Sequence, residues 1–247
     1  MMEKTVNIGS METFVVDPYA GIPNPAVVLF MDIWGVREEL RDIARKIAAE
    51  GYVALLPNLY HRQGNVSNEF YDDGRMISLH RLDKPRAKIV NDQRKKLTNE
   101  MILSDIESIL SYISDEERIR SGPVGAIGWC MGGWIGLKAG IEFPEYFKAI
   151  ATLHATRPIS ESADSPHLNL DKLSGGLYCG WAELDHLSPP SMVNDFESLL
   201  EGCRVEYTGT MHHDVEHGYS LPDRDIYSQE ASEIDWGHIF NLFRDHL

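Results

Sequence analysis

Cys130 stands between glycines in the run Ile127-Gly128-Trp129-Cys130-Met131-Gly132-Gly133-Trp134. The spacing is G-x-C-x-G, a nucleophile elbow with cysteine in the serine position. In such an elbow the glycines two residues to either side let a strand and the following helix approach without side chains between them. A cysteine nucleophile reacts as thiolate, so it needs a base and a third group that orients the base. Asp185, in Gly180-Trp181-Ala182-Glu183-Leu184-Asp185-His186, and His217, in His212-His213-Asp214-Val215-Glu216-His217-Gly218-Tyr219, follow in the order nucleophile, acid, base. That set does acyl transfer. The competing reading of the motif is a glycine-rich strand-to-helix junction around a buried structural cysteine.

Rivals stand beside two of the three. Glu183 is a second acid two positions before Asp185, and His212 and His213 precede His217. The histidine spacing is loosely metal-like, but no further Cys or carboxylate set completes a site, so no metal or other cofactor is expected. The oxyanion donors are expected to be the peptide N–H of Met131, at the start of the following helix, and that of Ile33, in the loop after an earlier strand. Asp32 reads either as a pocket carboxylate that holds a cation or contacts Cys130, or as a solvated turn residue. Trp34, Trp129, Trp181 and Tyr219 are expected to form an aromatic rim.

The elements that must position these residues alternate. Thr5–Ile8 and Glu12–Val16 predict a hairpin; Pro25–Met31, Tyr52–Leu56, Val124–Ile127, Phe147–Leu153, Gly175–Trp181 and Cys203–Tyr207 predict strands, most of them apolar without alternation, as in strands covered on both faces. Helical spacing marks Glu38–Glu50, Thr98–Ile113, Ile135–Ile141, Pro190–Leu200 and Tyr227–Leu247, the last with Tyr227, Ala231, Ile234, Ile239 and Leu242 inward. Between Leu59 and Lys96 periodicity is lost, which predicts loop and short helix covering a site. The pattern implies one α/β domain over residues 1–247, a mainly parallel central sheet with helices on both faces.

The chain is 43% apolar and 25% charged, with a formal net charge of −15. That balance argues against non-specific binding to nucleic acid or an anionic membrane. The N-terminus shows neither a signal peptide nor a membrane span, and three cysteines without paired spacing fit a reducing compartment. The expectation is a cytoplasmic protein, a monomer or small homo-oligomer, whose partner is a small-molecule ester or lactone.

With these residues in place the sequence resembles the dienelactone hydrolase family, the cysteine branch of the α/β-hydrolase fold. The resemblance spans nearly the whole chain, at Met31-Asp32-Ile33-Trp34-Gly35, Pro57-Asn58-Leu59-Tyr60, the elbow, Trp181-Ala182-Glu183-Leu184-Asp185, and His217-Gly218-Tyr219 with Pro222-Asp223-Arg224-Asp225-Ile226-Tyr227. It implies a Cys130–His217–Asp185 triad, Met131 and Ile33 as oxyanion donors, and hydrolysis of an enol-lactone or ester through a thioester acyl-enzyme. Where well-known members carry a glutamate that holds the resting thiol, this chain has Asp32. Where they carry a carboxylate-binding arginine four residues after the histidine, it has Leu221; Arg224 reads as helix-start packing, and Arg62, Arg75, Arg81 and Arg86 are alternatives. A thioesterase or other carboxylesterase on the same triad, or a binding protein that retains the fold without turnover, are the other readings.

Overall fold

The protein is described by a computed structural model covering residues 1–18, 21–64, 68 and 70–247. Eight strands form one sheet: β1 (Met2–Ile8), β2 (Met11–Asp17), β3 (Ala26–Phe30), β4 (Val53–Pro57), then, after the two-stranded ribbon of β5 (Tyr71–Asp72) and β6 (Arg75–Met76), β7 (Val124–Trp129), β8 (Phe147–Leu153), β9 (Gly176–Ala182) and β10 (Glu206–His212). The order is β1-β2-β4-β3-β7-β8-β9-β10, parallel throughout except for the β1–β2 hairpin and its β2–β4 junction. The helices are α1 (Glu38–Ala49), α2 (Lys84–Lys96), α3 (Asn99–Asp115), α4 (Met131–Glu142), α5 (Pro190–Leu200) and α6 (Gln229–His246). This is the α/β-hydrolase fold.

Both faces of the sheet are covered, as the apolar strands require. A side chain at Gly125 would meet Phe243 of α6 and Leu247 just after it, whereas Ile150, register partner of the neighbouring Ala126, faces Gly136 and Gly140 of α4. β3, β4 and β7 are buried at every position. From β3 the chain runs through α1 to β4 on one side, and β7 then pairs with the opposite edge of β3. The carboxyl ends of β3 and β7 therefore lie side by side at a topological switch point, where open α/β sheets bind ligands.

Three elements differ from what the sequence pattern predicts. The segment 59–96 contains a 13-residue helix, α2, which has no apolar stripe because Val90 is its only buried residue among those described. β10 runs three to five residues later than Cys203–Tyr207; as an edge strand, exposed or half-buried at every position but His212, it lacks the apolar run that marks the others. On α6, Ile234 is exposed and Asp235 is fully buried, because Tyr178, Tyr219 and His212 all donate to its carboxylate at 2.7 Å.

A Cβ on Gly132 would collide with the carbonyl oxygen of Phe30, a backbone atom that cannot yield, whereas one on Gly237 of α6 meets open space. Gly132→Ala is therefore expected to lower the melting temperature by several degrees or prevent folding. Gly237→Ala should raise it by a few degrees, from about 0.5–1 kcal/mol of helix propensity. Thermal unfolding of the two variants beside the parent checks both.

Candidate active site

β7 ends at Trp129 and α4 begins at Met131, so Cys130 alone makes the turn, with φ 57° and ψ −114°. A non-glycine residue in that region is strained and persists only where its surroundings impose it. Here they do: Cβ atoms at Gly128 and Gly132 would fall inside neighbouring backbone, and one at Gly133 would lie 2.9 Å from the Cβ of Ala155. The Cys130 N–H extends the ladder to Leu153 O at 3.0 Å, and its carbonyl accepts from Thr156 N at 3.1 Å. The sulfur is left at the positive end of α4, partly exposed, with Thr156 Oγ1 at 3.3 Å.

The loops after β9 and β10 bring the other two groups. His217 Nδ1 and Asp185 Oδ2 are 2.6 Å apart, and the second oxygen of Asp185 accepts from the N–H groups of Leu187 and Ser188 at 2.7 and 3.3 Å. The rival Glu183 instead accepts from Asp214 N at 3.0 Å and lies 3.3 Å from the exposed His213. His212 is buried against Asp235. The geometry pairs His217 with Asp185, the acid and base that the sequence order favours, and gives Glu183 and His212 other partners. Nε2 of His217 is buried without a hydrogen-bond partner among the described residues, and Cys130 and His217 lie close enough for each to shift the other's ionisation. Burial pushes the Cys130 thiol up, but the imidazolium of His217, with help from Thr156, outweighs it and holds the thiol below its ordinary range. Burial likewise opposes charge on His217, and the Cys130 thiolate and Asp185 carboxylate together raise it above the ordinary imidazole range. Each group thus favours the charged form of the other.

The β3 loop supplies Asp32, Ile33 and Trp34. Asp32 does not reach the sulfur: its Oδ1 accepts from Arg37 Nη1 at 2.9 Å and from Trp34 N at 3.0 Å, and Arg37 is also paired with Asp223. Its Oδ2 is buried and unpartnered among the described residues. Ile33 is fixed through its carbonyl, which accepts from Tyr60 Oη at 3.0 Å, and the same hydroxyl lies 3.9 Å from Met131 Sδ. Tyr60, which no residue pattern singled out as functional, thus ties the two expected oxyanion donors together. Trp129, Trp181 and Tyr219 are buried in the protein interior: the two tryptophans are strand residues on a covered sheet, and Tyr219, in the loop after β10, is drawn in by its hydrogen bond to Asp235 at 2.7 Å. Trp34 is also buried, beneath the guanidinium of Arg224 at 5.1 Å.

Arg224 departs most from its expected role. It is 5% exposed; its Nη2 lies 3.5 Å from Ser78 Oγ, and its Nε has no partner among the described residues. Arg62 is committed to Asp105 by two bonds of 2.8 Å, Arg81 to Asp225 and Glu216, and Arg86 to Asp83, while Arg75 is exposed. His154, buried in the loop after β8, packs edge-on to His217 at 4.9 Å; burial and the positive charges of His217 and Arg224 hold it well below the ordinary imidazole range, so it is neutral. No metal-binding group of three or more His, Cys, Asp or Glu side chains occurs among the described residues, and no described helix is long and apolar enough to cross a membrane.

An elbow after the central strand, with an acid and a histidine delivered from the next strands in sequence order, defines an α/β-hydrolase. A model of the dienelactone hydrolase family matches residues 11–247, and the chain belongs to that family. It is a hydrolase acting on ester or lactone bonds. It is 27% identical over 237 residues to a Synechocystis protein provisionally named carboxymethylenebutenolidase, covering 95% of this chain and 91% of that one. A Klebsiella pneumoniae crystal structure, provisionally named a dienelactone hydrolase, shares the fold at TM-score 0.85, with 22% identity and 99% of each chain covered. A dienelactone hydrolase-like promiscuous phosphotriesterase from metagenomic libraries superposes at TM-score 0.74, with 16% identity over 99% and 97% of the two chains.

If Asp185 orients the base, Asp185→Asn is expected to lower kcat/KM on an activated ester by on the order of 10³-fold, through loss of the correct imidazole tautomer. Glu183→Gln is expected to stay within about twofold of the parent, as for a surface ion pair. Steady-state kinetics of the two variants decide between the acids.

Proposed function

We propose that the chain hydrolyses a lactone or carboxylic ester through a Cys130–His217–Asp185 triad and a thioester acyl-enzyme, with an anionic group of the substrate held by Arg224. The observation that carries this reading is Cys130 held at φ 57° on the turn between β7 and α4, with His217 delivered from the β10 loop 2.6 Å from Asp185; the lowered thiol and raised imidazole agree with it.

In this mechanism the Cys130 thiolate adds to the substrate carbonyl carbon, and the carbonyl electron pair moves onto oxygen, which the N–H groups of Met131 and Ile33 receive. Collapse of that oxyanion breaks the bond to the leaving oxygen, which takes the Nε2 proton of His217. Water then gives a proton to His217 as its oxygen adds to the thioester; the C–S bond breaks, the acid departs, and the thiolate–imidazolium pair is restored. An enolate or phenolate leaves readily from the first intermediate, so enol-lactones and activated esters suit a cysteine here better than amides do. Support for an anionic substrate comes from Arg224, a buried cation beside the site whose Nε lacks an acceptor among the described residues. A buried charged donor left without an acceptor is costly, and a carboxylate on the substrate supplies one.

The test is kcat/KM for p-nitrophenyl acetate, an acyl thioester and a carboxylate-bearing enol-lactone such as dienelactone, with the parent, Cys130→Ala and Arg224→Met. The alanine variant is expected to lose turnover of all three. Arg224→Met is expected to lose about 30-fold or more on the anionic lactone and little on the neutral ester. Equal losses on both substrates would remove Arg224 from substrate binding. With pH, kcat/KM should rise along a limb lying below the ordinary thiol value and fall along one above the ordinary imidazole value, because Cys130 is lowered and His217 raised.

A further inference from the structure

The sulfur of Cys130 has a hydrogen-bond partner that the triad does not include. Thr156 lies in the loop after β8, its Oγ1 3.3 Å from Cys130 Sγ, while its peptide N–H donates to the carbonyl of Cys130 at 3.1 Å. One residue thus grips the nucleophile through both its backbone and its side chain.

The loop is tied to the rest of the site. Ser188 Oγ donates to Ala155 O at 2.7 Å and accepts from Arg157 N at 2.9 Å, and the N–H of Ser188 donates to Asp185 Oδ1 at 3.3 Å. With the 2.6 Å contact of Asp185 to His217, hydrogen bonds run from the residues flanking Thr156 through Ser188 and Asp185 to His217. The charged and titratable groups that sense the sulfur are His217 from the β10 loop, Asp32 from the β3 loop, Tyr60 after β4, and Arg224 ahead of α6. Asp32, the acid placed to hold a resting thiol, spends one oxygen on Arg37 and Trp34 N and makes no bond to sulfur. Thr156 fills that place. A thiolate has no proton to give, so in the charged pair the hydroxyl is the donor.

We infer that the Thr156 hydroxyl is a further catalytic group, donating to the Cys130 thiolate in the resting enzyme and holding the sulfur in position for attack. The inference rests on Cys130 being the nucleophile. When the sulfur electron pair becomes the new S–C bond, the hydroxyl is released with its own proton retained; when the C–S bond breaks in deacylation, the returning thiolate accepts it again. Thr156 neither gains nor loses a proton over the cycle. Its contribution is to favour thiolate over thiol and to fix the direction of attack.

The experiment measures the pH dependence of Cys130 alkylation by iodoacetamide, with the labelled peptide identified by mass, in the parent, Thr156→Val, Thr156→Ala and Thr156→Ser. Turnover of p-nitrophenyl acetate is followed in parallel, with Cys130→Ala as control. Loss of the hydroxyl is expected to raise the alkylation midpoint by about one pH unit and lower kcat/KM about tenfold, and serine is expected to restore both. Because alanine and valine both lack the hydroxyl, either folded variant suffices. Variants without the hydroxyl whose alkylation midpoint and turnover match the parent would overturn the inference and leave the nucleophile untouched. Retained turnover in Cys130→Ala would instead overturn the nucleophile assignment itself.

Discussion

The structure depends on how closely the first turn of α4 approaches β3 and β7. No side chain fits at Gly128 or Gly132, and Cys130 is held at φ 57° between them. That contact leaves the sulfur at the positive end of a helix, at the switch point between β3 and β7, with the loops after β3 and β8 in reach. Every other feature of the site is arranged around a sulfur whose position the backbone has already fixed.

Buried charge fixes the surrounding loops. Arg37 spans from the β3 loop to the segment before α6 by pairing with Asp32 and Asp223, and both partners of the Arg37–Asp32 pair are about 1% exposed. Removing one partner of such a pair typically costs 3–5 kcal/mol, so the pair acts as a positional lock on the loop that carries Ile33 and Trp34. Asp235 does the same at the other end of the site. Three donors converge on it from β9, β10 and the segment after His217, and Tyr219 among them packs at 5.5 Å against His154, which in turn packs against His217. The orientation of the histidine is thus supported from below by a fully satisfied polar cluster.

Much of the fold was legible because buried parallel strands write themselves as apolar runs and glycine punctuates the turns between them. The hairpin, the strands β3, β4, β7, β8 and β9, and five of the six α-helices among the described residues are legible from such runs and from helical spacing. α2 was not, because a helix that buries only Val90 has no periodic face to read; β10 was displaced because an edge strand need not be apolar. At the site, order along the chain pointed to Cys130, Asp185 and His217, but partner choice is a matter of distance. Depth in the loop favours Asp185 over Glu183, but only geometry shows which acid meets His217 and that Asp32 is turned to Arg37. Thr156 meets the sulfur through a single hydroxyl at a position with no motif, Tyr60 lies in a stretch that carries the family resemblance without marking a role, and Arg224 reads as ordinary helix-start packing until its burial beside Trp34 is seen. Trp129, Trp181 and Tyr219 show the converse: aromatic residues near an elbow signal core as readily as rim.

The central claim is that acyl groups pass through the sulfur of Cys130, and trapping the intermediate tests it most directly. The enzyme is mixed with p-nitrophenyl acetate, quenched in acid during the first turnover, digested and mapped by mass spectrometry. The account predicts an acetyl group on the peptide carrying Cys130, formed at the rate of the initial nitrophenolate burst and lost at the steady-state rate. Turnover with no acyl group on that peptide, or with the label on another residue at a kinetically competent rate, would contradict it.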